Sequence, residues 1–101
     1  MQDKFLQFLG LTKRAGKLVE GYNKCEEIID KRKIHLILIS LDCSENTKKK
    51  FISYCSKYNI PYIENYSKET LGASLGREEV NILGVADKNM SLQLLKLYNN
   101  L

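Results

Sequence analysis

Residues Gly21 to Glu27 read Gly-Tyr-Asn-Lys-Cys-Glu-Glu and join a strand-like stretch, Lys17–Glu20, to a helix-like one. Asn23 with Glu26 three residues later has the spacing of a capping box, and Gly21 suits the tight entry turn. If Asn23 is that cap, its replacement by Ala costs about 1 kcal/mol of stability. Capping leaves Tyr22 and Lys24 unexplained. Lys24 puts a positive charge at the already positive start of a helix, which costs roughly a few tenths of a kcal/mol unless an anion is near. Free helix N–H groups beside a glycine and a lysine also form a natural platform for phosphate or nucleic acid. Helix punctuation and ligand site are both open on the same residues.

Signals for catalysis are weak elsewhere. The single histidine, His35, stands just ahead of a strand and has no identifiable carboxylate or nucleophile to work with. Gly10 to Lys17 superficially resembles a phosphate loop. However, five residues separate its glycines instead of four, Leu18 stands where Ser or Thr would bind magnesium, and a helix precedes it. Gly72 and Gly76 have no dinucleotide-binding form and more simply end a short helix. Cys25, Cys43 and Cys55 are odd in number and lack metal-site spacing, so they read as reduced core residues. No catalytic residue, metal ligand or cofactor is expected.

The basic residues are better organised. Lys13, Arg14 and Lys17 precede the first strand, Lys24 opens the second helix and Lys31–Lys33 close it. The last three complement the negative end of a helix dipole, and Lys48–Lys50 suit a solvated face. The formal charge of +4 favours an anionic partner, nucleic acid first.

Apolar periodicity supplies the elements that must position these residues. Phe5, Leu6 and Leu9 mark a helix over residues 3–14, broken at Ala15 and Gly16. A second helix is expected from about Asn23 to Lys33, with Cys25, Ile28 and Ile29 inward. Residues 36–41, Leu-Ile-Leu-Ile-Ser-Leu, suit a strand buried on both faces, as in a parallel sheet. Asp42 or Ser44 caps a third helix carrying Phe51, Ile52, Cys55 and Tyr58, which stops at Asn59. A short strand over Ile60–Glu64 follows, then a brief helix capped by Ser67 and ending near Gly72 or Gly76. Residues 80–86 form another buried strand. A last helix from about Asn89 turns Met90, Leu94, Leu95, Leu97, Tyr98 and Leu101 mostly inward.

Alternating helices and buried strands mean an α/β fold with a sheet between two helical layers. At 44% apolar and 28% charged, the 101 residues form one modest globular core, so residues 1–101 read as a single domain. No membrane-spanning run or secretory leader is evident, and a cytoplasmic location is expected.

Taken together, residues 15–51, Cys-Ser-Lys-Tyr-Asn-Ile-Pro-Tyr-Ile at 55–63, Ser67 to Gly76 and Val80 to Asp87 carry a resemblance. The chain resembles the kink-turn RNA-binding family of ribosomal proteins, and is particularly similar to its small bacterial YlxQ-type members. The match runs from about Phe5 to Leu97. Its most specific parts are the Gly21 junction, residues 59–62 and the Leu-Gly-x-x-x-Gly run at 71–76. The resemblance implies a three-layer α-β-α sandwich around a mixed four-stranded sheet. It also implies non-catalytic binding of kink-turn RNA, a sharply bent internal loop with sheared G·A pairs.

In that family the start of the second helix enters the groove beside those pairs. Loops corresponding to residues 42–46, the helix start at Ser67–Lys68 and the segment after Gly76 embrace the protruding nucleotides. Carried over by position, the RNA-binding candidates are Lys17, Gly21, Tyr22, Asn23, Lys24, Glu27, Asp42, Ser44, Lys68 and Arg77. The family's strongest pattern is Gly-x-Asn-Glu, with Lys three residues after the Glu. Here those charged positions hold Lys24 and Glu27, the reverse arrangement. The exchange either preserves an ion-pair-like arrangement or changes which base edges are read. The implied partners are structured RNA, ribosomal RNA included, and the ribosome; a monomer without membrane attachment is expected. Two other readings stand beside this one: a protein-interaction module, and an RNA-binding accessory to an RNA-modifying enzyme.

Overall fold

Four of the five α-helices among the described residues begin where an Asp or Ser side chain accepts an amide of the first turn, and the second begins at a glycine with no such cap. The computed structural model describes residues 3–100. Helix α1 spans Lys4–Arg14, with the Asp3 side chain accepting the Leu6 N–H and Lys13 and Arg14 in the last turn. Strand β1, Leu18–Glu20, leads into helix α2, Tyr22–Ile28, which tightens into a 3-10 turn over Ile29–Lys31. Arg32 then closes this segment in the left-handed conformation. The helix expected to reach Lys33 therefore ends earlier.

Strand β2 is Leu36–Ile39 and helix α3 is Glu45–Tyr58, capped by Ser44, whose Oγ accepts the Thr47 N–H. Asn59 ends α3 with a left-handed backbone, as an asparagine can. Strand β3 is only Tyr62–Ile63, with Pro61 just ahead of it and its carbonyl accepting the Ile37 N–H. Helix α4, Lys68–Ala73, is capped by Ser67; strand β4 is Ile82–Val85; helix α5, Lys88–Asn99, is capped by Asp87. Of the α5 positions expected inward, Leu94 is buried and Met90, Leu95, Leu97 and Tyr98 pack at the core's edge. Leu101 lies outside the described residues.

The sheet order is β1-β4-β2-β3. Strand β4 runs antiparallel to both β1 and β2, and β2 pairs parallel with β3. The sheet is mixed, so the continuous apolar run of β2 does not reflect an all-parallel neighbourhood. It reflects helices on both faces. Leu36 and Leu38 join Phe5, Leu9, Leu71, Leu83, Val85 and Leu94 on one face, beneath α1, α4 and α5. Ile37 and Ile39 join Cys25, Ile29, Phe51, Cys55 and Ile82 on the other, beneath α2 and α3. Alternate side chains of one strand thus feed two cores. The result is an α/β three-layer sandwich. All three cysteines are buried and unbridged. Burial pushes the Cys25 thiol up to about 12 and that of Cys55 to about 11. Among the described residues, no helix is long and apolar enough to cross a membrane.

Candidate functional site

Antiparallel register gathers three connections at one end of the sheet. Glu20 pairs with Leu83 and Ile39 with Ile82, so Gly21, Ser40 and Asn81 lie side by side just beyond the strands. The Gly21 N–H donates to Ile82 O at 2.9 Å, and the Ser40 N–H to Asn81 O at 2.9 Å. Ser40, fully buried, adds a 2.6 Å hydrogen bond from Oγ to Asn81 Oδ1.

Gly21 begins α2 with φ 104° and ψ 161° and no side-chain cap. That backbone region is essentially restricted to glycine. The first helical hydrogen bond runs from the Cys25 N–H to Gly21 O at 3.1 Å. The amides of Tyr22, Asn23 and Lys24 precede it, and none donates to a described group. The expected capping box is absent because the N-cap is Gly21, two residues ahead of Asn23. Asn23 is inside the first turn with its side chain exposed. Glu26 is drawn away, accepting hydrogen bonds from Lys50 at 2.6 Å and from the Tyr54 hydroxyl at 2.7 Å. Those two donors hold its carboxyl below the ordinary value.

Tyr22 is half-buried, with its ring edge-on to Phe51 at 5.2 Å and beneath the Lys50 ammonium at 5.2 Å. Much of it therefore anchors α2 to α3. Asn23, Lys24 and Glu27 form the exposed face, since positions three and four apart share one side of a helix. Lys24 and Glu27 form no ion pair with each other or with any other described residue. The exchange of charges thus leaves two separate, solvent-facing charges.

Asp42 does not cap α3. Its Oδ1 accepts the Lys68 N–H at 2.9 Å, which binds the loop after β2 to the start of α4 and holds the Asp42 carboxyl below its usual range. Lys68 O in turn accepts the Val80 N–H at 3.0 Å, and the Lys68 ammonium lies 3.5 Å from Glu79. Gly72 makes this approach possible: a Cβ there would stand 2.6 Å from Glu79 Cα. Arg77, which follows the turn at Gly76, reaches Glu20 at 3.2 Å, and Lys13 meets the same carboxylate at 3.5 Å.

Gly21, Tyr22, Ser44, Arg77, Glu79 and Asn81 are among the residues lining an open cleft of about 320 Å³ at this end. Asp42 and Lys68 are tied to its rim, and Asn23, Lys24 and Glu27 continue it along α2. Lys17 is the exception. It precedes β1 at the opposite end of the sheet, where its carbonyl accepts the Ala86 N–H, so the strand length separates it from the rest. Sequence reasoning missed Glu20, Asn81 and Glu79, and gave Glu26 a capping role in place of its pairing with Lys50 and Tyr54; no local spacing could reveal these long-range partners.

Glycine-enabled backbone approach, unpaired helix amides and solvent-facing Asn and Lys side chains are the donors that phosphates and base edges accept from. Residues 3–95 match the Ribosomal protein L7Ae/L30e/S12e/Gadd45 family, and the chain belongs to it. It is 33% identical over 94 residues to the RNA-binding protein YlxQ of Bacillus subtilis (strain 168), covering 93% of this chain and 94% of that one. It is 29% identical over 96 residues to RNA-binding protein YlxQ of Enterococcus faecium, covering 95% and 92% respectively. A solved structure of a protein with unknown function from Bacillus halodurans C superposes with a TM-score of 0.93 at 31% identity, covering 97% of this chain and 99% of that one.

Proposed function

We propose that this chain is a non-catalytic RNA-binding protein that recognises a kink-turn in a structured, ribosome-associated RNA. The observation that carries the reading is the convergence of Gly21–Lys24 with the 42–46 loop, the Lys68 helix start and the segment after Gly76. An ordinary A-form major groove is too deep and narrow for side chains to read, whereas a bent internal loop opens its base edges. Asn23 donates to and accepts from such an edge. Lys24 donates to guanine acceptors or a phosphate, and the α2 amides favour phosphate oxygen. Glu27 accepts from an exocyclic amino group, so the exchanged charges keep one donor and one acceptor at the groove. The names of the two curated relatives support RNA as the partner.

The test is RNA affinity across salt concentration for the parent chain and Lys24→Glu. Phosphate-driven binding weakens with a log–log slope of roughly 0.7–0.9 per phosphate neutralised. Lys24→Glu should bind far more weakly. Parent-like binding by this variant would remove the proposed contact, and salt-insensitive behaviour would favour a protein partner.

A further inference from the structure

Helices α2 and α3 both start beside the site just described and both end at a second, separate cleft. Counting α3's 14 residues, the two ends lie about 21 Å apart at 1.5 Å per residue. The far cleft has a volume of about 440 Å³ and is lined by Ile29, Arg32, Ile34, His35, Lys57, Tyr58, Asn59 and Ile60. Its floor is apolar, since Ile29, Ile34 and Ile60 are buried. Its rim carries Arg32 and Lys57, and among the described residues no acidic side chain lines it. Neither cation has an ion-pair partner among the described residues. Lys57 also lies 5.3 Å over the Tyr58 ring.

Both cations stand near helix C-termini, where the dipole alone favours positive charge. That accounts for their sign. It does not account for their meeting at one cleft, or for the basic surface that leads there. Lys49, Ser53 and Lys57 are all exposed and recur every four residues, so they share the solvent face of α3. Lys49 also lacks an ion-pair partner among the described residues. Glu45, one turn earlier on that face, is exposed at the near end. Moving away from the first site, the charge on this face becomes uniformly positive.

We propose that the far cleft is a second RNA contact, in which Arg32 and Lys57 hold the phosphodiester backbone of a stem leading away from the bent element. Arg32 supplies a planar fork suited to phosphate oxygens and Lys57 a point charge. Lys49 meets the backbone between the two sites. This contact rests on the kink-turn reading, because it needs the RNA to be seated first at Gly21–Lys24. It sets a minimum stem length and reads no sequence.

The experiment compares the parent chain with Arg32→Gln/Lys57→Gln on two kink-turn duplexes, one with a short stem and one whose stem reaches along α3. Circular dichroism confirms that the variant is folded. The parent should bind the long-stem duplex on the order of ten-fold more tightly, as expected for added charge-assisted contacts. The variant should lose that gain, and its salt slope on the long duplex should fall by about one per cation removed. Its affinity for the short duplex should not change. Equal binding of both duplexes by the parent, or a long-stem gain that survives in the variant, overturns the second contact while leaving the first intact. Absence of parent binding to either duplex overturns the kink-turn reading and this contact with it.

Discussion

The Asp42 carboxylate accepts the Lys68 backbone N–H at 2.9 Å, joining residues 26 apart in the chain. Parallel pairing of β2 with β3 brings the two connections to one end of the sheet, where the Leu41 N–H also donates to Tyr66 O at 2.8 Å, and the Asp42 bond fixes the start of α4 against them. Asp42 follows β2, Lys68 begins α4, and Lys68 O then holds Val80 ahead of β4. The candidate site is therefore braced from behind by backbone hydrogen bonds, while Asn23 and Lys24 remain free at its front.

Acid should loosen this brace. The Asp42 and Glu26 carboxyls both titrate below their ordinary values in the folded chain, Asp42 chiefly through the Lys68 N–H and Glu26 chiefly through Lys50. A carboxyl depressed on folding adds stability that is fully present above its unfolded-state value. That stability is lost as pH falls through the folded-state value. Urea midpoints measured from pH 7 to pH 2 should fall through the acid range for the parent. Glu26→Gln and Asp42→Asn should each show a shallower fall. A parent-like slope in both variants would contradict this assignment.

Gly21→Ala tests the backbone alone. Among the described residues no atom outside the adjoining chain lies within 4 Å of the added Cβ, so the cost is conformational strain at φ 104°. The expected loss is about 1–3 kcal/mol in chemical denaturation, together with weaker RNA binding.

Asn23→Ala separates binding from capping. The side chain is exposed and makes no hydrogen bond to a described residue. Stability should stay within about 0.5 kcal/mol of the parent, while RNA affinity falls. A stability loss near 1 kcal/mol would restore the capping role that the residue spacing suggests.

Gly72→Ala acts from behind the candidate cleft, where Gly72 O accepts the Arg77 N–H at 2.9 Å. Its Cβ would enter the backbone of Glu78 and Glu79, forcing the segment after Gly76 outward. Overpacking of this kind costs typically about 1–3 kcal/mol. Both thermal stability and RNA affinity should drop, since the displaced segment carries Arg77 and Val80.

The layers were legible wherever burial alone decides the residue type. Leu36–Ile39 reads as a strand because both faces are covered, and Phe51 and Cys55 mark α3 because one stripe faces the core. What could not be read depends on long-range competition. Glu26 leaves the expected capping box because Lys50 and Tyr54, placed by α3, offer it stronger partners. The early end of α2 follows from a 3-10 turn and a left-handed Arg32, a conformation that no local pattern requires. Lys17 lies away from the other candidates because it precedes β1 and Gly21 follows it, so the length of the strand separates them. The candidate site residues thus come mainly from resemblance, and their grouping from register.

Recognition of a kinked RNA falls to the Gly21–Lys24 end of the sheet in the function proposed above. A gel-shift comparison tests it most directly, using a kink-turn duplex and the same duplex with its G·A pairs replaced by Watson–Crick pairs. Binding to the kink-turn duplex should be markedly tighter at the same salt concentration, with the difference reduced in Asn23→Ala. Equal affinity for both duplexes would contradict it and leave only general attraction to RNA.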